Sequence, residues 1–382
     1  MPPRSVYIHI PFCSKKCYYC DFTAYQIDHQ PVDEYLSALQ EEMKVWTKQV
    51  PPESIETIYL GGGTPTVLKP EQMKQLLQAI RQAFPKRSSK VEWTVEANPE
   101  STSKELLQVL KDEGVNRISF GAQTFRPHIL QEIGRAHGVE EIVQSVKWAR
   151  EAGIENISLD LMFGLPKQTL QDLEETLEHV LALKPKHISA YSLKIEEGTR
   201  FYYLHQQNKL ALPTEEEEYE MYQMIRRRLK QAGLQQYEIS NFAIPGYESL
   251  HNSAYWLNEE YYGFGVGAHG YVNEIRYANQ KGIQAYIERI HQGKRPIAEE
   301  HRVSQEESME NFMILGLRLL RGVPKVRFAK RYGESIDKVF GSVIKSLIKQ
   351  KFIEDKEGTI SLTEKGLLFG NEVFASFLFD VH

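Results

Sequence analysis

Between residues 6 and 193 short apolar runs alternate with longer amphipathic ones. The short runs, Val6–Ile10, Ile55–Leu60, Val91–Ala97, Arg117–Gly121, Ile157–Met162 and His187–Leu193, read as strands. The longer ones, Val32–Val50, Glu71–Phe84, Lys104–Glu113, Glu140–Glu151 and Leu170–Leu183, read as helices. Strands spaced this far apart cannot be joined by hairpins; each pair needs a crossover, and a helix is the usual one. The alternation therefore predicts an α/β fold with a parallel sheet, wound as a partial (β/α)6 barrel. In such folds chemistry collects at the carboxyl ends of the strands, in the loops that follow them.

The chain has 382 residues and three cysteines, Cys13, Cys17 and Cys20, all just after the first predicted strand. An odd number packed this tightly is not a disulfide framework. Burial as small hydrophobes explains one cysteine but not a cluster. Two metal readings follow. Zinc would need a closed tetrahedral shell, with His9 as fourth ligand. A cubane iron–sulfur cluster held by three cysteines would leave one iron open to a ligand. The rest of the composition is that of a globular protein: 41% hydrophobic and 25% charged, which excludes disordered and fibrous classes. The net charge, 46 − 51 = −5, argues against a polyanion binder. No window approaches ~18 apolar residues, and a strand-like alternation begins too early for a secretion signal. A cytoplasmic protein is expected, with membrane contact at most peripheral.

The other predicted strand ends carry polar groups. Gly61-Gly62-Gly63-Thr64-Pro65-Thr66 ends the second strand, where glycines expose backbone N–H groups to a polar or anionic ligand. It lacks the lysine of a P-loop. Glu96, Gln123 and Asp160 end the third, fourth and fifth strands, and Arg135 and His137 lie close behind Gln123. A carboxylate on a mostly buried strand is costly unless paired. Any one of these residues alone reads as a paired structural group.

The segment Cys13-Ser-Lys-Lys-Cys17-Tyr-Tyr19-Cys20 resembles the C-x3-C-x-aromatic-C signature of the radical S-adenosylmethionine (SAM) superfamily. That resemblance implies a [4Fe–4S] cluster on the three cysteines, with SAM chelating the open iron and the glycine-rich turn holding its amino end. The phrases Tyr-Ile-His-Ile-Pro-Phe-Cys13, Gly-Gly-Gly-Thr-Pro-Thr66, Glu96-Ala-Asn-Pro, Ser-Phe-Gly-Ala-Gln123, Gly-Arg135-Ala-His and Asp160-Leu-Met-Phe-Gly-Leu-Pro are similar to the coproporphyrinogen dehydrogenase branch of that superfamily. The likeness runs over nearly the whole chain. It implies SAM contacts at Tyr7, Tyr19, Gly62, Gly63, Thr64, Glu96, Gln123, Arg135 and Asp160.

Dehydrogenases of that branch carry a fourth cysteine two positions after the third, where this chain has Phe22, and a longer segment before the cluster. Both departures point to the haem-chaperone members of the branch. Those members carry an H-N-x-x-Y-W motif implicated in haem binding, and this chain has His251-Asn252-Ser-Ala-Tyr255-Trp256. An imidazole is a usual axial ligand of haem iron, with His269 a second candidate. The expected function is binding of haem and its transfer to an acceptor protein, with an electron donor for the cluster. The alternative is oxygen-independent decarboxylation of coproporphyrinogen III.

Residues 1–235 are expected to form the barrel, 236–300 an extension carrying the haem motif, and 301–382 a mostly helical, winged-helix-like domain. The last assignment rests on helical periodicity at Ser308–Leu320, Val326–Tyr332 and Ser335–Lys349, followed by a Gly-centred hairpin over Phe352–Leu362. Its Lys338, Lys345 and Lys349 read as the wet face of a helix, so no nucleic acid is expected. Thr214 and Glu217 have the spacing of a capping box, and residues 197–213 before them read as an insertion or linker. Gly263-Phe-Gly-Val-Gly-Ala268 matches a dinucleotide fingerprint, but strand-like Tyr271–Tyr277 follows it instead of a helix, which argues against nucleotide binding.

Overall fold

The computed structural model describes residues 2–379. Met1 and residues 380–382, the outer ends of the first and last expected domains, lie outside the described residues.

The predicted strands are β1 (Ser5–Ile10), β2 (Ile55–Gly62), β3 (Arg87–Ala97), β4 (Arg117–Gln123), β5 (Asn156–Phe163) and β6 (His187–Ser192). They pair in sequential order, and every pair is parallel. The predicted helices are α1 (Val32–Gln49), α2 (Pro70–Ala83), α3 (Lys104–Asp112), α4 (Val139–Glu151) and α5 (Leu170–Ala182). A sequential parallel order with a helix in each crossover is the winding of a barrel that stays open.

Alternation along the strands decides what each face of the sheet meets. Val6, Ile8, Ile58, Leu60, Val95, Ile118, Phe120, Leu159 and Ile188 belong to one apolar core that also takes in buried residues of the five helices. The residues between them are polar: Tyr7, His9, Thr57, Tyr59, Thr94, Glu96, Arg117, Ser119, Ser158, Asp160, His187 and Ser189. Strand side chains alternate in direction, so this second set shares the concave face. The lumen is therefore polar, where a closed barrel of this kind is filled with branched apolar side chains.

Residues 236–300 lie against both edges of this sheet. Asn241–Ala243 pairs antiparallel with β6, and Tyr261–Phe264 pairs parallel with β1. His269–Val272, Ile275–Asn279 and Ile297–Arg302 extend the second edge to give a twelve-stranded sheet. Gly263 and Gly265 belong to a strand and a turn between strands, so the glycine fingerprint has no helix to lead into. Glu42 of α1 fastens this edge. Its carboxylate accepts from Gly265 N (2.8 Å), the Tyr286 hydroxyl (2.6 Å) and Asn279 Nδ2 (2.8 Å).

The capping box at Thr214 and Glu217 is formed and starts the helix Glu215–Gln231. Residues 197–213 are not a linker. Thr199 caps a helix over Arg200–Gln206, and Phe201 is buried beside Tyr18 and Tyr19 with Ile129, Ile133 and Leu165. The apolar side of Phe-Tyr-Tyr-Leu needs cover, but two turns are too few to show a helical period in sequence.

Helices Gln305–Gly316, Lys325–Tyr332 and Ile336–Lys349 form the C-terminal domain around their own core of Phe312, Phe328, Phe340, Ile344 and Leu347. The hairpin Ile353–Lys356 with Thr359–Leu362, joined by Val323–Pro324, makes a three-stranded wing. Lys338, Lys345 and Lys349 are exposed. Among the described residues no helix is long and apolar enough to cross a membrane.

Glu42 gives the fold a measurable pH dependence. Burial pushes its pKa up to about 7 against its three hydrogen bonds. A carboxyl raised in the folded state contributes stability that is complete below its unfolded pKa and lost as pH rises through about 7. Urea unfolding should therefore show a loss of up to about 3 kcal/mol from this group between pH 4.5 and 7.5. Glu42→Gln should lack that component, and equal slopes for the two proteins would contradict it.

Candidate functional site

At the carboxyl end of β1 the chain turns out of the sheet. Phe12–Cys13 pairs in parallel with Tyr25–Gln26, and the loop between them holds Cys17 and Cys20. Cys13 is buried and the other two are half-buried. The turn after β2 fixes the start of this loop: Gly63 N donates to Ile10 O at 2.9 Å and Thr64 N to Phe12 O at 2.7 Å. The Thr64 hydroxyl lies 3.5 Å from Cys13 Sγ, and Arg135 Nη1 donates to Cys17 Sγ at 3.3 Å. A Cβ on Gly63 would stand 2.5 Å from Phe12 O, and one on Gly62, at φ +108°, would stand 2.4 Å from the His9 ring. Only glycine permits both the approach and the backbone angle. The far side of the loop rests on the helix Arg200–Gln206: Phe201 N donates to Tyr18 O at 3.0 Å, and the Arg200 guanidinium lies 3.9 Å over the Tyr18 ring.

A cavity of about 320 Å³ opens beneath the loop. All three cysteines line it, with Tyr19, Gly62, Gly63, Thr64, Glu96, Gln123, Arg135 and Asp160. Of the residues expected around SAM, Tyr7 alone is not on its wall. The Tyr7 hydroxyl instead meets His9 Nδ1 at 2.9 Å, and its ring stacks on Tyr59. His9 is spent as well, because its Nε2 meets Thr23 O at 2.8 Å. That removes the fourth ligand of the zinc reading, and among the described residues no three His, Cys, Asp or Glu side chains converge on a single ion. Burial pushes the Cys13 and Cys20 thiols up, Cys20 to about 11, so a metal centre must displace their protons to bind.

Glu96 accepts from the Tyr59 hydroxyl at 2.6 Å and from Gly62 N at 3.1 Å. Burial pushes its pKa up to about 7, and the nearby Asp160 adds to the rise. Asp160 accepts from the Ser119 hydroxyl at 3.0 Å, and burial raises its pKa too. Gln123 takes a left-handed backbone angle, φ +64°, as β4 ends, a conformation that costs a non-glycine residue roughly 1 kcal/mol or more. The site thus holds two carboxyls that lack a full countercharge, above a sulfur-lined cavity.

Three further residues of this site carried no assignment from sequence. Asn98 donates to Thr64 Oγ1 at 2.9 Å and accepts from Arg135 Nη2 at 2.7 Å, and so joins the glycine turn to the arginine. Its signal was the strand-end Glu-Ala-Asn-Pro itself. Tyr59 lies inside β2 and Arg117 opens β4; alternation puts both on the lumen face, but neither stands at a carboxyl strand end, where the sequence reading looked. Arg117 is 2% exposed and lines the cavity, and its Nε has no partner.

A second cleft, of about 980 Å³, lies between the barrel mouth and the C-terminal domain. Tyr19, Met162, Tyr191 and Asn252 line both spaces, which are therefore contiguous. Asn252, Tyr255 and Trp256 of the short helix Leu250–Trp256 face the cleft. His251 does not. It is 1% exposed, stacked on Tyr59, with Nδ1 against the Thr57 hydroxyl and Nε2 against the Tyr255 hydroxyl, both at 2.8 Å. Burial and the Arg117 charge push its pKa down to about 3. With both nitrogens engaged, the imidazole expected as an iron ligand here positions Tyr255. His269 is exposed at the start of its strand and lines neither space.

Comparison with known proteins agrees with this geometry. Residues 7–180 match the radical SAM superfamily, and residues 303–369 match the HemN C-terminal domain. The haem chaperone HemW of Bacillus subtilis is 48% identical over 98% of this chain and 99% of its own length. HemW of Escherichia coli is 33% identical, with 99% of each chain covered. Among solved structures, the coproporphyrinogen III oxidase HemN of Escherichia coli, described as a radical SAM enzyme, superposes with a TM-score of 0.87 at 25% identity. That match covers all of this chain and 91% of the other.

The seam between the glycine turn and the cysteine loop can be tested without any ligand. Gly63→Ala forces a methyl group against Phe12 O, and should lower the unfolding free energy by about 1–3 kcal/mol, the usual cost of overpacking. Urea unfolding that matched the parent protein would show that the two loops are not held together.

Proposed function

The chain belongs to the radical SAM superfamily and, within it, to the HemW family, and from that membership we propose that it is a haem chaperone, binding haem and passing it to an acceptor protein. In this reading Cys13, Cys17 and Cys20 hold a [4Fe–4S] cluster whose open iron takes SAM, and a reduced protein partner supplies electrons. When bound, the cluster supplies one-electron chemistry. The chain's own residues do the rest. The Gly62–Gly63 turn and Glu96 receive the amino end of SAM, Arg135 meets its carboxylate, and Asp160 accepts from its ribose.

The observation that carries the haem assignment is the cleft of about 980 Å³ lined by Asn252, Tyr255 and Trp256, at the upper end of small-molecule sites. It supplies aromatic faces for a flat ligand and adjoins the cysteine cavity. Phe22 also favours haem over decarboxylation. It stands where the dehydrogenases of this branch carry a fourth cysteine, is 61% exposed, and cannot ligate iron.

Anaerobic reconstitution should give about four iron and four sulfide per chain. Cys13→Ser, Cys17→Ser and Cys20→Ser should each abolish the cluster, because no fourth cysteine can substitute. SAM affinity should rise with pH through about 7, since a protonated Glu96 is a poorer acceptor for the N–H donors of the SAM amino group than the carboxylate is. Glu96→Gln should bind about 1–3 kcal/mol more weakly at pH 8 and lose that pH dependence. Calorimetry showing the same profile in both proteins would remove Glu96 from the SAM site.

Haem titration should saturate at about one per chain, and Trp256→Ala should weaken it with iron and sulfide content unchanged. SAM-dependent release of carbon dioxide from coproporphyrinogen III would overturn the chaperone reading.

A further inference from the structure

Buried polar atoms without partners are rare, and each needs an explanation. Four of them border the cleft between the barrel and the C-terminal domain: Trp256 Nε1, Arg318 Nε, Glu238 Oε2 and Asn241 Oδ1. Glu238 is fully buried and Asn241 is 2% exposed. Among the described residues, four of the twelve such atoms belong to side chains of this one cleft wall.

Arg318 has the strongest claim on a ligand. It follows the first helix of the C-terminal domain, and its guanidinium lies 4.4 Å over the Trp256 ring and 5.9 Å from that of Phe374. Among the described residues its side chain makes no ion pair within 4.0 Å. Burial pushes its pKa down, the mark of a cation that has lost water without gaining a full partner. Glu238, the acid whose field reaches it, does not come within ion-pair distance of it, and burial raises the Glu238 pKa. The planar guanidinium suits a bidentate carboxylate, and the rings around it suit a flat apolar body.

We propose that Arg318 anchors a carboxylate of the tetrapyrrole, so that the C-terminal domain supplies the ionic half of the site and the Asn252–Trp256 face supplies the apolar half. The proposal rests on the haem reading above and adds to it the group recognised, a propionate side chain. It also gives the C-terminal domain a task, since of the two basic side chains that line the cleft, Lys194 and Arg318, the domain supplies the one stacked on Trp256.

The test compares ferric haem with its dimethyl ester, which keeps the macrocycle and loses both carboxylates. Binding is followed by absorbance in the reconstituted full chain. The parent protein should prefer haem. Arg318→Met keeps much of the aliphatic stem, and should weaken haem about tenfold to hundredfold, the range for a lost charged hydrogen bond, while ester affinity stays within about twofold. Arg318→Lys should recover part of the loss, because it keeps the charge and not the fork. Melting temperature and iron content verify folding. If Arg318→Met does not fold, the haem-to-ester ratio in the parent and in Arg318→Lys decides. The anchor is overturned if Arg318→Met binds haem like the parent, if it weakens haem and ester alike, or if the parent does not discriminate. Failure of the parent to bind haem at all overturns the functional reading together with the anchor, which separates the two failures.

Discussion

Two backbone donors from the turn after β2 point into the loop that carries the cysteines, and the geometry of the site depends on them. The cysteine loop has almost no regular structure, so its shape must be borrowed. Gly63 N and Thr64 N lend it from one side, through Ile10 O and Phe12 O. The side chains of Thr64 and Arg135 then reach the sulfurs themselves. Asn98 closes the arrangement by holding Thr64 and Arg135 together across two strand ends. Glycine is indispensable at this seam because the backbones approach too closely for any Cβ.

This seam sits over a lumen whose polarity needs its own support. The outer face of the sheet buries branched and aromatic side chains against the helices, and that burial offsets the cost of polar groups on the inner face. Inside, most polar groups are tied in pairs. His187 lies between the Ser158 and Tyr237 hydroxyls, and His251 between those of Thr57 and Tyr255. Burial holds both imidazoles neutral, and the Arg117 charge adds to the effect. Arg117 is thus a buried cation among neutral neighbours, and its field falls on Glu96 and Asp160, lowering the cost of ionising each.

How much of this was legible in the sequence depended on the range of the interaction. Strand and helix periods are local, so β1–β6 and their helices could be placed to within a few residues. The cysteine spacing and the strand-end Glu96, Gln123 and Asp160 were equally readable, because a parallel fold brings strand ends together. What could not be read was long-range orientation. Nothing local says that the His251 ring is taken up by Thr57, which is 194 residues away. The helix Arg200–Gln206 was invisible because its reason to fold, cover for Tyr18, lies in another segment. Of the edge strands, Tyr271–Tyr277 read as strand-like, as one run where the structure has two strands and a turn, while the parallel pairing of Tyr261–Phe264 with β1, fastened by Glu42, was not legible.

The joint between barrel and C-terminal domain bears on how a cargo site could load and release. Close to the cleft, the barrel meets the domain through a β-bridge, Glu238 to Leu319, with Leu320 N donating to Tyr237 O at 3.0 Å, and through Arg327 and Arg331, which donate to Leu257 O and Asn258 O at 3.1 and 3.0 Å. Further out, Arg226 holds Glu364 through two hydrogen bonds of 2.7 and 2.9 Å, but the carboxylate is largely exposed and contributes little. The bridge residue Glu238 is also a cleft residue, and Arg318 precedes Leu319 directly. A ligand carboxylate on Arg318 therefore acts within one residue of the bridge that joins the two bodies. By linkage, a ligand that binds better when the cleft is closed must also hold it closed, and an acceptor that pries the domain away must weaken the ligand by the same free energy. In the proposed chaperone role, that reciprocity ties ligand affinity to the contact between the two parts of the chain.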